Sequence, residues 1–142
     1  MIRPRVDFYV LDNENPTGLW LTACRLIEKI YKQGLTVFAC LEAEEEVLRM
    51  DDLLWTFRQG SFVPHARYQG PDPLTPVHIG RIGESAPAAD VLVNLARTVP
   101  ENAPQYPRIA DLVNQLPEIR ALGRARYRRY QAQGFHIDTH TL

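Results

Sequence analysis

Arg120, Arg124 and Arg128 recur every fourth residue toward the C-terminal end of a 142-residue chain, with Tyr127 and Gln131 beside them. At about 100° per residue these five positions share one face of a helix. A guanidinium is a permanently charged planar fork that grips carboxylates and phosphates through paired hydrogen bonds. An aromatic ring next to such forks adds an apolar contact. The combination suits a peptide that carries a carboxylate and an apolar anchor. No Asp or Glu lies between Arg120 and Arg129, so the charge is not cancelled along the helix. The same pattern is compatible with a solvated basic helix or with one that lies on the phosphates of a single strand.

Other chemistry finds less support. The first strand-to-helix turn reads Asp12-Asn-Glu-Asn-Pro-Thr-Gly18, and its carboxylates make a poor cradle for a pyrophosphate. There is no phosphate-binding loop of the G-x-x-x-x-G-K-[ST] type. His136 and His140 have a spacing that suits a metal on a helix, but they follow Gly134 and flank Asp138-Thr139, which favours an irregular tail with both rings at the surface. Gly80-Arg-Ile-Gly83 matches the G-x-x-G of a KH loop but lacks its flanking helices, and reads as a turn. No catalytic constellation and no cofactor are expected.

The elements that position these residues follow from periodicity. Pro117 fits a first helical turn, and Gly134 the left-handed residue that ends a helix, so the basic helix runs between them. Ile119, Leu122 and Tyr130 form its apolar side, and Arg126 falls among them. Val6–Leu11, Leu35–Cys40, Val77–Gly80, Asp90–Leu95 and Arg108–Val113 read as strands. A helix from about Leu19 to Gly34 links the first two, and an acidic helix spans Ala43–Trp55. Ser61–His65 is extended, and Pro64 keeps it out of a central strand position. Ala66–Pro76 reads as a loop. Alternating strands and helices, with continuous apolar runs, define an α/β fold: a single three-layer Rossmann-like domain over residues 1–142, with a mostly parallel sheet and helices on both faces.

Net charge is -1, with 45% hydrophobic and 23% charged residues. This is the composition of a globular protein without a global preference for nucleic acid. Cys24 and Cys40 match no metal or redox spacing and are expected to be free and buried. No apolar run reaches membrane-spanning length and none resembles a leader, so a cytoplasmic location is expected, without membrane association.

Trp55, at the end of the acidic helix, and Phe62 just beyond it lie among Arg58, Gln59 and Gly60. A tryptophan there is commonly core, yet this setting also suits an interface anchor. Taken in order, Phe8-Tyr-Val-Leu-Asp12, Asp52-Leu-Leu-Trp55, Ser61-Phe-Val-Pro-His65 and Arg124-Ala-Arg-Tyr-Arg-Arg-Tyr130 with Gly134-Phe135 resemble the chi subunit family of bacterial DNA polymerase III over nearly the whole chain.

The resemblance implies a non-catalytic adaptor, monomeric on its own, that ties the clamp loader to coated template in replication. It implies a psi subunit bound through Trp55 and Phe62. It implies that the acidic C-terminal tail of single-stranded-DNA-binding protein is held by Val113, Arg124, Tyr127 and Arg128. It further implies a repair helicase on an overlapping surface, and only indirect association with DNA. The pattern departs from the family at Asn114-Gln115, where members carry Pro and an aromatic, at Arg128, where they often carry Lys, and in a tail that lacks a Trp. Two rivals compete with this reading: a direct single-stranded nucleic-acid binder using the Arg-rich helix, and a nucleotide-dependent enzyme. On either reading Arg126, placed in the apolar arc, requires a carboxylate or several carbonyls within reach.

Overall fold

The apolar run Val37–Leu41 is buried along its entire length, as a strand flanked by parallel neighbours and covered on both faces must be. The structure, a computed structural model, describes residues 4–142. In chain order the strands are β1 (Arg5–Val10), β2 (Val37–Leu41), β3 (His65–Arg67), β4 (Val77–Arg81), β5 (Val91–Leu95), β6 (Arg108–Val113) and β7 (His136–Thr141). The helices are α1 (Pro16–Lys32), α2 (Glu44–Thr56) and α3 (Pro117–Ala132). The seven strands form one sheet of order β3-β4-β2-β5-β6-β1-β7, and every pairing is parallel.

Side chains alternate across the pleat and build a core on each face. On one face Ile27 of α1 and Met50 and Leu54 of α2 share a core with Val77, Ile79, Val93 and Leu112 of the sheet. On the opposite face Phe8, Phe38, Leu92, Ile109 and Val113 meet Tyr130 of α3, Phe135 and Tyr106. These are the three layers expected of the sequence. Pro64 directly precedes β3, which is an edge strand, as proline requires. Cys24 and Cys40 are free and buried, and burial raises both thiols to about 12. No helix among the described residues is long and apolar enough to cross a membrane.

Three expectations need correction. The segment after Gly134 is a six-residue strand and not an irregular tail. Its pairing with β1 sets Asp138 opposite Asp7 and His140 opposite Tyr9. The outer strand of a sheet carries polar side chains on its open surfaces, so the apolar alternation that marks a strand is weak there. Second, β3 extends to Arg67, inside the stretch read as loop. Third, Leu122 is 37% exposed instead of buried. The residues of α3 that are buried are Gly123, Arg126 and Tyr130.

Gly123 explains that rotation of the helix. A Cβ built there would lie 2.3 Å from Cγ1 of Val113, so the absent side chain lets α3 press against β6. Overpacking at such a point costs about 1–3 kcal/mol, partly offset by the ~1 kcal/mol helix preference of Ala over Gly. Gly123→Ala should therefore destabilise the fold by roughly 1–2 kcal/mol in urea unfolding, and adding Val113→Ala should recover part of the loss. Equal stability of Gly123→Ala and the parent chain would show that the contact yields freely.

Candidate functional site

The chain leaves β1 toward the face covered by α1 and leaves β6 toward the face covered by α3. A crevice opens where neighbouring parallel strands send their connections to opposite faces, and ligands of open α/β sheets bind at such points. Here the crevice is a cavity of about 240 Å³. Phe8 and Val10 of β1, Val113 of β6 and Thr139 of β7 line it from the sheet. Arg120, Gly123, Arg124 and Tyr127 line it from α3. The Tyr127 ring meets the Phe8 ring edge-on at 5.6 Å.

The rim of the cleft is laced by the two connections. The Leu11 amide donates to the Val113 carbonyl at 2.8 Å, and the Gln115 amide to Asn13 O at 2.7 Å. Gln115 Nε2 donates to Leu11 O at 3.1 Å. Asn114, fully buried, donates to Asn15 O at 3.2 Å and accepts from the Leu116 amide at 3.1 Å. Asn15 in turn caps α1 by accepting from the Thr17 amide. A connection whose polar groups are satisfied in this way stays rigid. Asn114 and Gln115 thus serve as the staples between the two turns.

A buried charge pair holds α3 in place. Arg126 Nε donates to Asp111 Oδ2 at 2.9 Å and Nη2 to Oδ1 at 2.9 Å. Its Nη1 reaches the Arg97 carbonyl at 3.1 Å. The Tyr130 hydroxyl donates to Asp111 Oδ2 at 2.6 Å and accepts from Asn94 Nδ2 at 3.3 Å. Burial works against the guanidinium's charge, but Asp111 outweighs it and holds the Arg126 pKa above its ordinary value. Burial and the same carboxylate push the Tyr130 phenol well up, so it remains a donor. Arg126 therefore has the partner its place in the apolar arc demands.

Of the residues singled out from sequence, Val113, Arg124 and Tyr127 come together in the cleft. Arg128 stands exposed on α3 outside the lining. Arg120, on the same helical face, lies within it. Phe8 and Val10 belong to the first-strand motif and Thr139 to the tail, but nothing in the sequence points them to the cleft, because only strand pairing brings them there. Gly123 did carry a sequence signal: a glycine inside a helix usually has a packing reason.

Trp55 and Phe62 form a separate patch, 47% and 63% exposed, with ring centroids 5.6 Å apart. The His65 ring backs Trp55 at 4.3 Å. The turn between the two aromatics is pinned by Glu28, buried on α1, which pairs with Arg58 at 2.7 Å and accepts from the Ser61 hydroxyl. His136 and His140 are both exposed. His140 does not stand free, since its Nε2 lies 2.9 Å from Asp7 Oδ1 and its ring stacks on Tyr9.

Fold and surfaces together define an all-parallel α/β protein with a basic, apolar-floored cleft at the carboxyl ends of its strands and an exposed aromatic pair elsewhere. The chain belongs to the DNA polymerase III chi subunit family: the family model described as "DNA polymerase III chi subunit, HolC" matches residues 3–138. It is 36% identical over 138 residues to the DNA polymerase III subunit chi of Pseudomonas aeruginosa, covering 97% of this chain and 96% of that one. It is 29% identical over 140 residues to the subunit of the same name in Escherichia coli, covering 94% and 95%. The Haemophilus influenzae subunit is 27% identical over 138 residues, with 96% of each chain covered.

Removing one member of a buried ion pair leaves the other uncompensated and costs about 3–5 kcal/mol. Asp111→Asn should therefore lose about that much stability in chemical denaturation. It should also loosen α3 selectively, seen as faster amide exchange across Arg120–Tyr130 than in β2. Unchanged exchange in α3 would mean that the helix is held by its apolar contacts alone.

Proposed function

We propose that this chain is a non-catalytic adaptor subunit of a DNA polymerase III holoenzyme. On this reading the cleft takes the acidic C-terminal tail of single-stranded-DNA-binding protein, and Trp55 with Phe62 anchors the psi subunit. The observation that carries it is the cleft itself: an apolar floor of Val113, Phe8 and the Tyr127 ring beside two guanidiniums, Arg120 and Arg124. Among the described residues neither arginine has a carboxylate partner. A terminal apolar side chain would occupy the floor, and the terminal carboxylate would accept from Arg124. Aspartates preceding it would face Arg128, one turn further along α3. The Trp55–Phe62 pair has the exposure and mutual contact of an interface hot spot, and the Glu28 clamp presents it without a large ordering cost. A repair helicase that uses the same aromatics would compete with psi. In this role the chain meets DNA only through its partners.

Titration with a phenylalanine-terminated acidic peptide, and with a bare single-stranded oligonucleotide, tests the cleft. Arg124→Ala should cost about 2 kcal/mol of peptide binding, the scale of a charged hydrogen bond. Arg128→Ala should cost ~0.2–1 kcal/mol, as exposed charges do, and Arg129→Ala still less. Binding should weaken as salt rises. Equal losses for Arg128→Ala and Arg129→Ala, together with comparable affinity for the oligonucleotide, would favour direct nucleic-acid binding by the helix.

The aromatic patch makes a separate prediction. Trp55→Ala and Phe62→Ala should each cost on the order of 2 kcal/mol in psi binding while leaving the thermal midpoint and the peptide affinity nearly unchanged. A matching fall in thermal midpoint would mark these rings as structural.

A further inference from the structure

The far flank of α3 carries a second groove. It runs between the helix and the connection after β5, with a volume of about 310 Å³. Val99, Leu122 and Ala125 form its apolar floor, and Arg97 and Arg129 stand on its two sides, one on the connection and one on the helix. Periodicity assigns Leu122 to the buried side of α3, yet it is 37% exposed, because the close approach at Gly123 turns it toward this groove, where the described residues leave it partly uncovered. Arg97 and Arg129 are exposed, and among the described residues neither has a carboxylate partner. The base is rigid: the Arg97 carbonyl accepts from the buried Arg126, and the Arg97 amide donates to Glu42 Oε1 at 2.8 Å.

We propose that this groove is a second docking site, for an acidic segment of a partner protein that carries an apolar side chain internally. The occupant is fixed by charge complementarity. Two unpaired guanidiniums flank an apolar floor, so carboxylates on either side of one aliphatic side chain would find hydrogen-bonding cations while that side chain covers Leu122. A second copy of this chain would bring the same arginines together. The site differs in kind from the tail cleft, where Arg120 and Arg124 both project from α3 beside a floor supplied by the sheet. Here the cations come from two different elements, Arg97 on the connection and Arg129 on the helix, which suits a segment passing between them more than a chain terminus. The helix lies between the two, so they can be filled independently.

The probe is a C-terminally amidated peptide of Asp, Glu and Leu, which lacks the terminal carboxylate that the tail cleft would take. Titrated into the ¹⁵N-labelled full chain, it should shift the amides of Val99, Leu122, Ala125 and Arg129. Binding should weaken several-fold as salt is raised. Leu122→Glu should weaken it about tenfold or more, as loss of an interface anchor does, and Arg97→Glu should act similarly. Arg124→Glu should leave it unchanged and instead abolish binding of the phenylalanine-terminated peptide, so failure of one site does not imply failure of the other. The dispersion of each variant's own spectrum checks that it folds, and Arg97→Glu, at an exposed position, tests the site without touching the partly buried Leu122. Shifts confined to Val113 and Tyr127, no shifts at millimolar peptide, the same amides answering only to an oligonucleotide, or dimerisation abolished by Leu122→Glu would each overturn the proposal.

Discussion

A carboxylate and a guanidinium taken out of water together are stable only when their geometry is good and their remaining hydrogen-bonding capacity is met. Asp111 and Arg126 satisfy both conditions. The carboxylate is gripped through Nε and Nη2 of the arginine and by the Tyr130 hydroxyl, and the third guanidinium nitrogen reaches a backbone carbonyl. A pair of this kind adds less to stability than its contacts suggest, but it permits very little else. It fixes the rotation of α3 about its axis and its position along β6. Gly123 shares in setting that rotation and also sets the distance between helix and strand, because a Cβ there would collide with Val113. Once these are set, Arg120, Arg124 and Tyr127 must face one flank, and Leu122 and Arg129 the other.

Much of this was legible in the sequence, and the parts that were not share a cause. Apolar runs such as Val37–Leu41 announce buried strands because both faces are covered. The basic helix shows its face by period alone, and Arg126 betrays a buried partner by falling within an apolar arc. Asp111 could not be named as that partner, since it depends on which face of β6 the helix meets. β7 has a weak strand signature because His136, Asp138 and His140 answer to solvent and to Asp7 more than to a core. The cleft residues Phe8, Val10 and Thr139 come from strands adjacent only in the folded sheet. Periodicity turns Leu122 inward because it assumes a helix rotated by its apolar content, whereas a glycine and an ion pair set the rotation here.

The proposed partner surfaces draw on different parts of the scaffold. The cleft belongs to α3 and the strands β6, β1 and β7, whereas the aromatic pair belongs to the end of α2 and the α2–β3 connection, which Glu28 pins to α1. No residue is shared, so occupancy of one surface need not disturb the other. Such separation would let both proposed partners be held at once.

The most direct test of this account is a crystal structure of the full chain with the phenylalanine-terminated acidic peptide bound. The terminal ring should lie on Val113 between Phe8 and Tyr127, the terminal carboxylate should accept from Arg124, and α3 should be unmoved with the Asp111–Arg126 pair intact. A peptide lying along Arg128 and Arg129 with its ring in solvent, or a helix displaced from β6 to admit it, would contradict it.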